Sequence, residues 1–331
     1  MFKKVTKIDD VYSCPSINDE CIVYYSSKHV LKFFDIRDLT LKFEHQFTRD
    51  FDCKLINSHL YISVDSDLLS LDVENLKLEK VCKSNDQYIM ALSNHRYISS
   101  SYRRKDKKYD NSIYDQSCKL LLAINGEMSF RNVYQSHLLL SNRGGNKIAY
   151  LNFENCNILW QTDLNSIING ESIETKKYII IPMSDSLIAF DRQSGEKVWS
   201  NKNSLSHYSY AEQNDNLYGI TGNFFEVIDA NTGKKEVNQK FSENLHIASH
   251  LTFNSKDLLY FSGYRDTNIP VFGAVNVKSG KLEFIQEVKI EGEKSFRIGL
   301  EKPIVVDNKL YVKDSLNTLH IFKKETTSTD V

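Results

Sequence analysis

Short apolar runs recur along the chain at intervals of roughly forty residues. They are Ile22-Val23-Tyr24, Leu60-Tyr61-Ile62, Tyr97-Ile98, Leu138-Leu139-Leu140, Tyr178-Ile179-Ile180-Ile181, Leu217-Tyr218, Leu258-Leu259-Tyr260 and Leu310-Tyr311-Val312. Each is short and bounded by polar residues, the pattern of a strand covered on both faces. After each run but the last come a further strand, a tight turn and another strand. The clearest copy is Leu187 to Trp199, with related segments at Glu226 to Lys235 and Ala274 to Phe284.

Alignment on the turn brings together Leu39, Leu76, Cys118, Cys156, Gly195, Gly233 and Gly280. Four residues earlier stand Asp35, Asp72, Tyr114, Asn152, Asp191, Asp229 and Asn276. An Asp or Asn there accepts backbone amides inside the turn, and Gly supplies the positive φ such a hairpin needs. Four residues after the turn come Phe43, Lys80, Leu122, Trp160, Trp199, Val237 and Phe284. Both tryptophans of the chain therefore share one repeat position, which marks it as a packing site.

Four strands fit the period. The fold expected is all-β, an eight-bladed β-propeller of four-stranded antiparallel sheets. It forms a single domain over residues 1–325, with residues 326–331 as a C-terminal tail. The eighth unit ends at Leu319-His320-Ile321-Phe322 and runs into a polar tail without an outer strand. Phe2 to Ile8 supplies that strand, so the ring is closed by N- and C-terminal strands and exposed edges are removed.

The turn motifs SGEKVW, NTGKK and KSGKLEF resemble the tryptophan-docking repeats of the pyrroloquinoline-quinone (quinoprotein) propellers. The resemblance covers nearly the whole chain and is most specific in its second half. It implies blades locked together by the aromatic of the outer strand. Trp160, Trp199 and Phe284 match that role. Lys80, Leu122 and Val237 depart from it, and Cys118 and Cys156 replace the turn glycine, so the early blades are expected to dock differently. The alcohol-oxidising members of that family carry adjacent cysteines beside the cofactor; this chain has no Cys-Cys pair. No cofactor or calcium ligand is carried over, and the fold by itself does not establish an activity.

Composition narrows the function classes. Forty-one per cent of residues are hydrophobic and 26% charged, enough apolar surface for a folded domain. Lys plus Arg number 42 against 43 for Asp plus Glu, so the whole molecule has no general attraction for nucleic acid or anionic lipid. Lys7, Asp9 and Asp10 interrupt any signal-peptide core, and no apolar run is long enough to span a membrane. A cytoplasmic protein is expected. The six cysteines include no CxxC pair and read as reduced structural thiols.

Candidate chemistry is sparse. His246 and His250 fall on an expected inner strand, where they are too far apart to share a metal. His59, His95 and His137 begin the second strand of successive blades, a shared position that points to architecture. No GxSxG, HExxH or phosphate-loop motif occurs, and Asn142 to Asn146 reads as a hairpin turn. No catalytic, metal or cofactor-binding residue is singled out, and a non-catalytic role is favoured.

Two enlarged loops stand out, Tyr102 to Asn111 in blade 3 and Tyr264 to Pro270 in blade 7. Both join second to third strands, so both project from one face, and four blades apart they stand across the central channel. The residues expected to bind a partner are Tyr102, Arg103, Arg104, Lys105, Lys107, Lys108, Tyr109, Tyr264, Arg265 and Asn268. Basic charge flanked by tyrosines suits an acidic protein partner. A bacterial immunity or inhibitor protein occluding a cognate toxin is the concrete form of this expectation. The alternative is an enzyme or small-ligand receptor using the central channel, with nucleic-acid binding a weaker third reading.

Overall fold

The computed structural model describes residues 2–325 apart from 14, 84–87, 104, 106–107, 127, 203–209, 255–256, 267 and 291–297. It is an eight-bladed β-propeller: eight antiparallel four-stranded sheets and no helix among the described residues. Blades 1 to 7 are residues 16–46, 52–83, 88–126, 128–163, 173–201, 211–240 and 245–287, each taking its four strands in chain order from axis to rim. Blade 8 is built from residues 304–324 with Phe2–Ile8 as its outer strand, paired antiparallel from Phe2↔Lys324 to Ile8↔Leu319. Ring closure by the two chain ends is therefore realised as the sequence implies.

The core is not one mass. Its buried side chains form eight clusters, and each cluster lies at one seam between neighbouring blades. Leu60, Ile62 and Leu71 of blade 2, for example, meet Val23, Leu31 and Phe33 of blade 1. A blade buries its two faces only against its neighbours, so the ring is stable as a whole.

The turn residues explain how seams are locked. All seven aligned positions have positive φ, from 54° at Leu76 to 72° at Gly195, including the four that are not glycine. Where the preceding blade offers a tryptophan, the turn is glycine because nothing larger fits. A Cβ on Gly195 would lie 2.5 Å from Trp160, and one on Gly233 would lie 2.5 Å from Trp199. The indoles also donate across the seam, Trp160 Nε1 to the Arg192 carbonyl and Trp199 Nε1 to the Ala230 carbonyl, each at 3.0 Å. Where the docking residue is smaller, the turn side chain helps fill the seam. Leu76 and Phe43 pack against one core cluster, Cys156 and Leu122 against another, and Cys118 Sγ donates to the Val81 carbonyl. Lys80, in the aromatic's place, turns to Asp67 of its own blade at 2.7 Å.

Blade 3 departs from the aligned spacing. Asp115, not Tyr114, holds the turn: its Oδ1 accepts the amides of Ser117 and Lys119, and Cys118 N–H donates to the Asp115 carbonyl. The turn is one residue shorter than its neighbours, which moves the Asx position forward by one. The five described cysteines are free thiols, and burial pushes those of Cys21 and Cys82 up to about 12.

The glycine rule is testable. Gly233→Ala puts a Cβ into Trp199 and an alanine at a φ of 70°, and is expected to destabilise by about 2–4 kcal/mol. Urea unfolding measures it, and an unchanged midpoint would show that the indole is free to move aside.

Candidate partner-binding face

The turns between second and third strands gather on one face of the ring. In blades 1, 2 and 4 to 6 these two strands are five or six residues long. In blade 3 they are Arg96–Arg103 and Lys108–Asp115, and in blade 7 Leu258–Arg265 and Ile269–Asn276, eight residues each. Most of what reads in sequence as enlarged loop is thus extra ladder, continuing to Arg103↔Lys108 and Arg265↔Ile269. Cross-strand pairing of β-formers such as Tyr102↔Tyr109 continues the sheet beyond the body of the blade.

Tyr102 and Tyr109 pack with ring centroids 4.9 Å apart. Arg143, from the equivalent turn of blade 4, donates to the Tyr102 hydroxyl at 2.7 Å, its guanidinium carbon 5.7 Å from the ring centroid. The hairpin is therefore braced by its neighbour and presents a preformed aromatic surface. Arg103 pairs with Asp110 at 2.6 Å across the hairpin, while Lys105 and Lys108 are exposed. Arg104 and Lys107 lie outside the described residues. From Tyr102 to Asp110 the chain carries five basic residues and two aspartates, so the tip is basic after the internal pair is formed.

The blade 7 hairpin has another electrostatic character. Arg265 pairs with Glu287 on its own blade and lies 3.9 Å from Asp266, whose carboxylate accepts from Asn244 Nδ2. Tyr264 reaches toward the blade 8 connector, its hydroxyl 3.2 Å from where a Cβ on Gly299 would stand, and Asn268 is exposed. Of the two hairpins, only that of blade 3 combines, among the described residues, exposed lysines with a packed tyrosine pair. His246 and His250 lie in the inner strand Leu245–Asn254, and no group of three metal-ligating side chains occurs among the described residues.

The opposite face holds a constellation that residue spacing does not reveal. At the seam of blades 4 and 5, Tyr150 donates to Glu174, His137 Nδ1 lies 3.3 Å from the same carboxylate, and Arg192 Nε lies 3.2 Å from it. Arg192 also donates to the Tyr150 hydroxyl at 3.1 Å, and the imidazole stacks on the phenol with centroids 4.8 Å apart. Burial lowers the pKa of His137, with Glu174 opposing and Arg192 adding to that shift. Burial and the Glu174 carboxylate drive the Tyr150 phenol well above its ordinary range. A cavity of 430 Å³ opens beside this network, lined among others by Leu159, Lys177, Asp191 and Gln193. The four side chains come from two blades and four different repeat positions: a first, a second and a third strand and the turn after a third strand. His137 alone carried a sequence signal, its shared place with His59 and His95. Because each of the four finds its partners within the group, the network acts first as a clamp between blades.

Eight docked blades, strand closure and indole-over-glycine seams define an eight-bladed propeller whose scaffold resembles that of the quinoproteins. No family model matches the chain, and neither does any curated protein. Among solved structures it is similar to BamB from Moraxella catarrhalis, at 12% identity and a TM-score of 0.67 over 98% of this chain and 100% of that one. It is also similar to Sqt1 of Saccharomyces cerevisiae, at 10% identity and a TM-score of 0.65 over 98% and 99%. The computationally designed Ika8 protein matches at 12% identity and a TM-score of 0.70 over 97% and 98%. At these identities the likeness is one of fold. Among the described residues no helix is long and apolar enough to cross a membrane.

Proposed function

We propose that this chain is a non-catalytic, cytoplasmic propeller that captures an acidic protein partner on the face carrying the blade 3 hairpin. The partnership we favour is that of an immunity protein masking a cognate toxin. The observation that carries this reading is the braced Tyr102–Tyr109 pair beside exposed Lys105 and Lys108. A rigid aromatic anchor costs little entropy on binding, and surrounding positive charge steers an acidic partner and sets orientation.

The test begins with capture from the native host and identification of the co-purifying protein by mass spectrometry. Combined alanine replacement of Arg103, Arg104, Lys107 and Lys108 is expected to weaken the purified complex roughly tenfold, with a smaller effect at high salt. Unchanged affinity rejects this face. Co-expression that fails to relieve any toxicity of the captured protein rejects the immunity reading while leaving the binding role intact.

A further inference from the structure

Among the described residues the rim of the propeller is ringed by eight outer strands, each paired to its own blade along one edge only. Such edges invite added strands, and proteins commonly blunt them with charge. Seven of the eight carry at least one charged residue: Lys42 and Glu44 in blade 1, Lys77 to Lys83 in blade 2, Asp163 in blade 4, Lys197 in blade 5, and several in each of blades 6 to 8. The outer strand of blade 3, Leu120–Gly126, carries none: its sequence is LLLAING. The repeat position three residues after the turn is charged in blades 1, 2, 6 and 7, as Lys42, Glu79, Glu236 and Glu283, and apolar in blades 3, 4 and 5, as Leu121, Leu159 and Val198; of these three strands, that of blade 3 alone has no charge elsewhere along it. Leu120 is 51% exposed and Leu121 39% exposed, so this strand offers apolar side chains as well as an open edge.

Its surroundings select the occupant. Gly126 pairs with Tyr109, so the far end of the strand lies against the basic hairpin, next to Lys108. Lys119 is exposed at the other end. A second copy added antiparallel would place its own Lys119 beside the Lys105 and Lys108 of the first, twice over by symmetry. Like charges at both ends disfavour that dimer. An extended apolar segment that begins with acidic residues meets lysines at the hairpin end and leucines along the edge.

We propose that Leu120–Gly126 accepts such a segment of the partner as an antiparallel fifth strand of blade 3. Main-chain hydrogen bonds supply affinity, Leu120 and Leu121 supply apolar contact, and the hairpin lysines fix direction. This proposal rests on the reading of the blade 3 hairpin as the partner-binding face.

The test uses the full chain and a fluorescently labelled probe peptide, Asp-Glu-Asp-Val-Thr-Val-Thr-Val-Thr, followed by anisotropy. Binding is expected, at least tenfold weaker for the same peptide in reversed sequence and for the Leu121→Lys/Ala123→Lys variant. Both substituted positions are exposed, so the variant should keep its thermal midpoint. Equal binding by wild type and variant, or no binding by wild type, overturns strand addition. A wild-type dimer in sedimentation that the variant lacks would overturn it in favour of a second copy. If the variant holds the host partner normally while the four-alanine hairpin variant does not, strand addition fails and the face reading stands; if neither loses the partner, both fail.

Discussion

Phe2→Ala is expected to cost about 3–5 kcal/mol of unfolding free energy, the range for removing a buried aromatic. The ring is only 6% exposed. It meets Tyr260, Phe272 and Phe284 of blade 7 at centroid distances of 6.4, 6.1 and 5.6 Å. It sits on the strand that completes blade 8 from the other end of the chain, so truncating it loosens the one blade whose strands are not consecutive in sequence. Every other blade is built of strands that follow one another along the polypeptide, and loss of packing there leaves its strands tethered. At the closure the same loss separates the chain ends and exposes the Leu319–Lys324 edge, so a shallower unfolding transition should accompany the lower midpoint. Val5→Ala is the control, since Val5 is 55% exposed on the same strand and its loss should be nearly silent. Equal effects for the two variants would mean that the closing strand is held by its backbone ladder alone.

The blade count, the closure and the docking tryptophans were legible because each depends on a local rule repeated every blade. A glycine under an indole and an Asx side chain capping a turn leave the same mark wherever they occur. Tyr114 shows the limit of that reading: a one-residue shorter turn shifts the capping position to Asp115, and spacing alone does not reveal a shorter turn. The hairpins of blades 3 and 7 were visible as extra residues, but their continuation as ladder depends on pairing partners several residues apart in sequence. Their different electrostatics depend on Glu287 and Asn244, which no motif links to Arg265 or Asp266. Least legible was the cluster of His137, Tyr150, Glu174 and Arg192. Its members belong to no common column of the repeat, and only the rotation from one blade to the next brings them together.

That cluster should give the second large effect. Glu174→Ala removes the carboxylate shared by His137, Tyr150 and Arg192, and breaking a buried ion pair from one side costs about 3–5 kcal/mol. The Arg192 side chain is 29% exposed and turns partly to water, which places the expected loss near the lower end of that range. Arg192→Gln should cost less than Glu174→Ala, because the carboxylate keeps Tyr150 as a donor. The dependence on pH separates this clamp from ordinary packing. Burial holds the folded pKa of His137 below its ordinary value of 6.5, so between the two values the unfolded chain binds more protons than the folded one. The contribution of the imidazole to stability is complete above pH 6.5 and is lost as the pH falls through that value toward the folded pKa. Denaturation midpoints should therefore decline below neutrality, and His137→Gln should flatten that part of the curve while leaving the steeper loss at lower pH, where the turn carboxylates Asp35 and Asp191 become protonated. A variant curve parallel to that of the wild type between about pH 7.5 and 5.5, to either side of the ordinary histidine pKa of about 6.5, would show that Glu174 offsets burial at the seam and leaves the imidazole with the same proton affinity folded and unfolded.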